Sequence, residues 1–269
     1  MSLLQSFTRP AAVSCLAVLL SFNVAAAQDK AFEPQVGQAG KDVIWVPTPQ
    51  ALVHKMMDMA NVKSSDVVYD LGSGDGRTVI TAAKRGATAQ GIEYNPDMVE
   101  LSKKNAAKEG VSEKANFMKA DLFETDFSKA NVVTMFLLPD INLRLRPKIL
   151  DMKPDTRVVS NSFDMGDWTP DEVAQAVDGC TSYCRANFWI VPAKVAGTWK
   201  LPQGELTLEQ KYQMLTGSLK TSSGTAQISD GKMTGDQITF KVNGSTYTGK
   251  VDGNAMEGSL VTATWKATK

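Results

Sequence analysis

The stretch Val67–Arg77, VVYDLGSGDGR, decides the fold. Apolar Val67, Val68 and Tyr69 read as a buried strand running into Asp70. Gly72, Gly74 and Gly76 then alternate with short polar residues. A glycine loop after a strand lets the backbone come close to a ligand and aims helix N–H groups at it. The spacing is wrong for two nucleotide loops. A phosphate-binding P-loop needs Lys-Ser/Thr after its last glycine, and Arg77-Thr78 follow at a different spacing. A dinucleotide fingerprint needs G-x-G-x-x-G, one residue longer than the G-x-G-x-G found here. Asp70, two residues before the first glycine, would repel a pyrophosphate and suits a cationic or polar ligand.

Outward from this loop, strands and helices alternate. The pattern predicts strands over 66–70, 88–93, 115–120, 131–138 and 156–162. It predicts helices over 76–85, 96–109 and 141–152. Before the loop, Leu52, Val53, Met56, Met57 and Met59 repeat at helical period after Pro47 and Pro49. Such alternation with short links predicts an α/β fold, a parallel sheet with helices on both faces. Near residue 195 the texture changes. Gly, Asn, Asp and Ser punctuate short alternating segments such as QITFKV and STYTGKV, which predicts a small all-β domain, a sandwich or barrel, over 195–269.

The chain has 269 residues, 43% hydrophobic and 22% charged, with formal net charge zero. That balance gives no basis for binding nucleic acid or an anionic membrane. The N-terminus carries Arg9, the apolar run AAVSCLAVLLSFNV and then Ala25 and Ala27 at signal-peptidase spacing. This order reads as a secretory signal peptide over 1–27. The apolar run falls short of the ~20 residues of a span, which disfavours an uncleaved anchor. No stable membrane span is expected after cleavage, and the expected location is the periplasm or cell envelope. Polar, Gly-rich residues 28–44 read as a loose leader, followed by a domain over 45–194. Cys180 and Cys184 in GCTSYC are a disulfide or two free thiols, since export permits pairing and the spacing does not require it. No metal site is expected: two cysteines lack partners, and His54, the only histidine, falls in the helical pattern at 49–60.

The motif D-x-G-x-G-x-G in DLGSGDGR resembles the first motif of class I S-adenosylmethionine-dependent methyltransferases. Glu93 in GIEYN resembles the acid that binds both ribose hydroxyls. Asp121-Leu122 in MKADLF resemble the pair that contacts adenine. The resemblance covers residues 45–192. It implies S-adenosyl-L-methionine as cofactor, with contacts from Pro47, Thr48, Asp70, Gly72, Ser73, Gly74, Gly76, Glu93, Tyr94, Asp121 and Leu122. The segment WVPTPQALVHKMM before the loop, and VVTMFLLPDINLRLRPKILDMKPDTRVVS after it, resemble a group of small lysine N-methyltransferases that includes enzymes of the mitochondrial inner membrane. That implies a protein acceptor and lysine N-methylation.

The sequence departs from a common amino-methyltransferase pattern. After the fourth strand stands MFLLPD, not Asn/Asp-Pro-Pro-aromatic. The missing amide argues against nucleobase chemistry. Phe136, Pro139 and Asp140 are the candidates for the acceptor wall, with Asp140 equally placed to cap a helix. Trp168 in FDMGDW either covers the site or anchors its loop. Two other functions stay open: methylation of a small-molecule or lipid acceptor, and a binding module that retains the fold without catalysis. The last gains weight from export, because the cofactor is made in the cytoplasm.

Overall fold

A computed structural model describes residues 1–2, 32–175, 177–260 and 263–269. The expected signal peptide, apart from its first two residues, lies outside the described residues. Residues 33–269 form one compact unit.

The elements follow the alternation in the sequence. Helix α1 (Gln50–Met59) precedes β1 (Val67–Leu71), α2 (Arg77–Lys84), β2 (Thr88–Glu93), α3 (Pro96–Lys108) and β3 (Ala115–Lys119). Then come β4 (Val132–Met135), α4 (Pro139–Leu150), β5 (Arg157–Asn161), β6 (Glu172–Ala174) and β7 (Ala186–Ile190). The sheet order is β3-β2-β1-β4-β5-β7-β6. The pairs from β3 to β5 are parallel, whereas β7 runs antiparallel to β5 and β6. The antiparallel edge departs from the wholly parallel expectation.

Alternate residues of the central strands enter opposite cores, as a period of two requires. Val68, Val132 and Val159 pack with α1, α2 and α3 residues such as Met57, Val79 and Val99. Leu71, Val133 and Val158 pack with Ile141, Leu145 and Ile149 of α4. Strand β4 is shorter than expected, and α4 begins earlier. Pro139 sits in the first turn of α4, where its fixed φ and missing N–H are tolerated.

The tail is a closed eight-stranded antiparallel barrel. It comprises β8 (Gly197–Leu201), β9 (Gly204–Lys211), β10 (Met214–Thr221), β11 (Gly224–Thr234), β12 (Gln237–Val242), β13 (Ser245–Asp252), β14 (Ala255–Leu260) and β15 (Ala263–Thr268). Asn243 and Gly244 both take positive φ, 48° and 82°, as a two-residue hairpin turn requires. Closure comes from β15 pairing with β8. The interior is a core of its own, built around Trp199, Phe240 and Trp265.

Candidate active site

The chain runs from β1 to β2 and β3 on one side, then returns to β4 and β5 on the other. Open α/β sheets bind ligands at that switch, beyond the carboxyl ends of the strands. A cavity of about 620 Å³ lies there, lined by residues from Gln38 to Tyr183.

The glycine loop forms its floor. Gly72, Gly74 and Gly76 take φ of 79°, 54° and 83°, a left-handed backbone that side chains disfavour. A Cβ on Gly74 would lie 2.6 Å from Trp45 Nε1, and one on Gly72 would lie 3.0 Å from a Leu137 methyl. Gly76 serves differently: it caps α2 and does not line the cavity. Its hydrogen faces Phe117, only 2.7 Å from where a Cβ would stand, so the missing side chain lets α2 pack on the sheet. Ser73 Oγ is buried without a hydrogen-bond partner.

Three carboxylates stand at the strand ends. Glu93 accepts from the Gly74 N–H and the Asn95 N–H, each at 2.9 Å, which fixes the loop against β2. Its two oxygens retain lone pairs for further donors. Asp70 is buried, and its Oδ1 accepts from the Thr134 hydroxyl at 2.7 Å. Desolvation pushes its carboxyl up to about 7 against the pull of that hydrogen bond. Asp121 accepts from the Phe123 N–H at 2.9 Å and is ion-paired with Lys41. The Lys41 ammonium, followed by that N–H, holds its carboxyl below the usual range.

Residues 38–44, expected as loose leader, instead line the cavity. An Ala39–Ile44 bridge turns the backbone, Lys41 reaches Asp121, and the Lys41 ammonium lies 4.9 Å above the Tyr94 ring. Pro47 and Thr48 follow in the lining. The Thr48 carbonyl accepts from Arg77 Nη1 at 3.0 Å, and its hydroxyl from Asn161 Nδ2 at 3.2 Å. The VPTP turn is therefore tied to both α2 and the end of β5. Tyr94 and Leu122 also line the cavity.

The wall that follows β4 departs from expectation. Phe136, Leu137, Leu138 and Ile141 line it, whereas Pro139 and Asp140 do not. The backbone leaves β4 at Met135, so Pro139 and Asp140 fall in the exposed first turn of α4. Leu138 is the N-cap, and Asp140 lies within the helix. Phe136 stacks with Phe163 at 6.1 Å and meets Tyr183 edge-on at 5.2 Å. Nothing in the sequence singled out Lys41 or Tyr183, and the only usable signal for Trp45 was its place directly before VPTP. Cys180 and Cys184 are paired. Trp168 anchors its loop: it is fully buried, and its carbonyl accepts from Trp189 Nε1 at 2.8 Å. His54 is exposed on α1.

The sheet order, the glycine loop and the acids at successive strand ends define a class I S-adenosylmethionine-dependent methyltransferase. The model of the ANTKMT methyltransferase domain matches residues 70–172. A protein-lysine N-methyltransferase of Saccharolobus islandicus (strain REY15A) is 46% identical over 140 residues, 51% of this chain and 87% of that protein. The chain belongs to this protein-lysine N-methyltransferase family. A human lysine N-methyltransferase named for ATP synthase is 36% identical over 54% of this chain and 62% of its own length. A Salinibacter ruber structure described as an RNA methyltransferase in complex with S-adenosyl-L-homocysteine is 44% identical, with TM-score 0.53. That match covers 56% of this chain and 96% of the other.

Proposed function

We propose that this chain transfers a methyl group from S-adenosylmethionine to the Nε of a protein lysine. The observation that carries the reading is the acceptor wall: Phe136, Phe163 and Tyr183 cluster at the cavity, beyond the carboxyl end of β4. Aromatic ring faces seat an alkylammonium by cation–π attraction, and loss of its water shell eases release of the proton that must leave for solvent before the amine attacks. Once methylated, the amine regains charge that the ring faces accommodate.

The residues present fit the cofactor. The glycine loop leaves room for close backbone approach, and buried Ser73 Oγ lacks a partner. S-Adenosylmethionine supplies an electrophilic methyl carried on a sulfonium. Glu93 would accept from the ribose hydroxyls, and Asp121 with Leu122 would meet the adenine. Asp70 supplies negative charge beneath a cationic ligand. Lys41 and Trp45 close the cavity over the loop and exclude water, so donor and acceptor meet in a fixed, dry geometry.

The structure from Salinibacter ruber favours a second reading, an RNA acceptor. Zero net charge and the missing amide after β4 weigh against it. Transfer of isotope-labelled methyl groups into envelope and cytoplasmic fractions separates the two. Mass spectrometry is expected to place the label on lysine Nε. Label in RNA, with none in protein, overturns the proposal.

We further infer export to the periplasm or cell envelope. The Arg–apolar–Ala-x-Ala order of the N-terminus supports it, and so does the Cys180–Cys184 pair, since disulfides persist in oxidising compartments. N-terminal sequencing of envelope protein is expected to begin just after Ala27. A chain starting at Met1 and confined to the cytosol refutes export.

A further inference from the structure

Tyr183 stands apart from the other lining residues. It is carried by a loop, is 46% exposed and takes φ of 52°, a left-handed backbone uncommon for a residue with a side chain. The Cys180–Cys184 bond closes that loop to five residues. One end is anchored: the Cys180 N–H donates to the Val177 carbonyl at 3.0 Å, and both residues pack on the core beneath. The other end enters β7, where the Ser162 N–H donates to the Arg185 carbonyl at 2.8 Å. A short loop tied at both ends is thus cross-linked around Tyr183, whose ring meets that of Phe136 5.2 Å away and 61° inclined. Opening the cross-link restores conformational freedom to the loop.

We propose that Tyr183 is an acceptor-positioning residue, and that the Cys180–Cys184 disulfide sets acceptor affinity by holding its ring beside Phe136, which in turn stacks on Phe163. This rests on the lysine reading above and assigns the pocket for the alkylammonium end of the acceptor. Reduction by a dithiol releases the ring. The dithiol gives two electrons and two protons, leaves as its own disulfide, and Cys180 and Cys184 become thiols. Tyr183 packs on Phe136, whereas Glu93 and Asp121 are held by Gly74, Asn95 and Phe123, so acceptor and cofactor affinity are expected to separate.

The test uses the full chain. Tyr183→Ala is expected to raise the KM of the acceptor that wild type labels by about tenfold, with kcat and S-adenosylhomocysteine affinity changed less than about twofold. Tyr183→Phe restores the KM, since the ring and not the hydroxyl acts. Cys180→Ser/Cys184→Ser, and wild type treated with a dithiol, shift KM in the same direction as Tyr183→Ala. A binding measurement needs no turnover. On protein saturated with S-adenosylhomocysteine, aromatic proton shifts follow titration with Nα-acetyl-trimethyllysine amide and with its neutral tert-butyl isostere. Wild type is expected to prefer the cation, and Tyr183→Ala to lose that preference. Equal binding of both probes by wild type, or an unchanged KM in Tyr183→Ala, overturns the proposal. Equal loss of S-adenosylhomocysteine affinity overturns it too, because the residue then supports the whole site. Failure of the lysine reading looks different: wild type itself labels another atom.

Discussion

Asp70 shows how one buried group ties sequence position to a measurable pH response. It lies at the carboxyl end of β1, 5% exposed, with Thr134 as its hydroxyl donor. Burial raises its carboxyl to about 7, from an ordinary 3.8. The folded state therefore holds this proton more tightly than the unfolded chain between those values. Its contribution to stability is present below 3.8 and is lost as pH rises through about 7. Cofactor binding runs the other way. A sulfonium and an α-ammonium favour the ionised carboxylate, so binding releases the proton. S-Adenosylmethionine affinity is expected to fall as pH drops below about 7, approaching tenfold per unit where only the ionised form binds. Asp70→Asn is expected to bind weakly at every pH and to flatten that profile. Calorimetric titration across this range checks it, and a flat wild-type profile refutes the assignment.

The elements around the glycine loop differ in how far the sequence disclosed them. Gly72, Gly74, Glu93 and Asp121 were legible because each sits at a fixed distance from a strand end, and strand ends show in the apolar pattern. The strap over the loop was not. Lys41 meets a carboxylate 80 residues away, and nothing local in a polar, Gly-rich run distinguishes that contact from solvation. The reversed direction of β7 was also invisible, since ANFWI reads alike either way. Asp140 misled because the end of β4 was placed three residues late, which moved the first turn of α4 into the apparent acceptor wall. Strap and loop meet at Gly74, where a side chain has neither the backbone angle nor the space. Gly74→Val is expected to cost about 1–3 kcal/mol of stability through the left-handed backbone alone. It also displaces Trp45, so cofactor affinity falls by more than about tenfold. Denaturant melts and cofactor titration of the same variant measure both. Wild-type affinity in Gly74→Val removes the loop from the cofactor site.

At the scale of the molecule, the barrel is joined to the methyltransferase domain outside the cavity. No barrel residue lines the described cavity, yet residues 33–269 hold together as one unit. The junction is specific. Tyr212, in the turn between β9 and β10, stacks on buried Trp168 at 6.0 Å, and the Arg146 guanidinium lies 5.3 Å from its ring. Its hydroxyl donates to Asp167 at 2.7 Å, which with Lys211 and Arg146 holds that carboxyl well below the usual range. Beside it, Gln213 Nε2 donates to the Thr169 carbonyl at 2.7 Å, and the Ala193 N–H to the Gly235 carbonyl at 2.8 Å. This explains why Trp168 is buried although its loop follows β5 toward the site: the barrel, not the cavity, covers it. The barrel is therefore expected to act on the enzyme through stability and not through the pocket. Tyr212→Ala removes an aromatic stack worth ~0.5–1.5 kcal/mol beyond its buried area. It leaves Asp167 to its two cationic partners, so the hydrogen bond contributes little more. For a unit of this size the Tm is expected to fall by roughly 1–6 °C. Acceptor and cofactor affinities are expected to stay at wild-type values below the transition. Calorimetry and cofactor titration together decide it: a parallel loss of cofactor affinity at temperatures where the variant is fully folded shows that the junction reaches the active site.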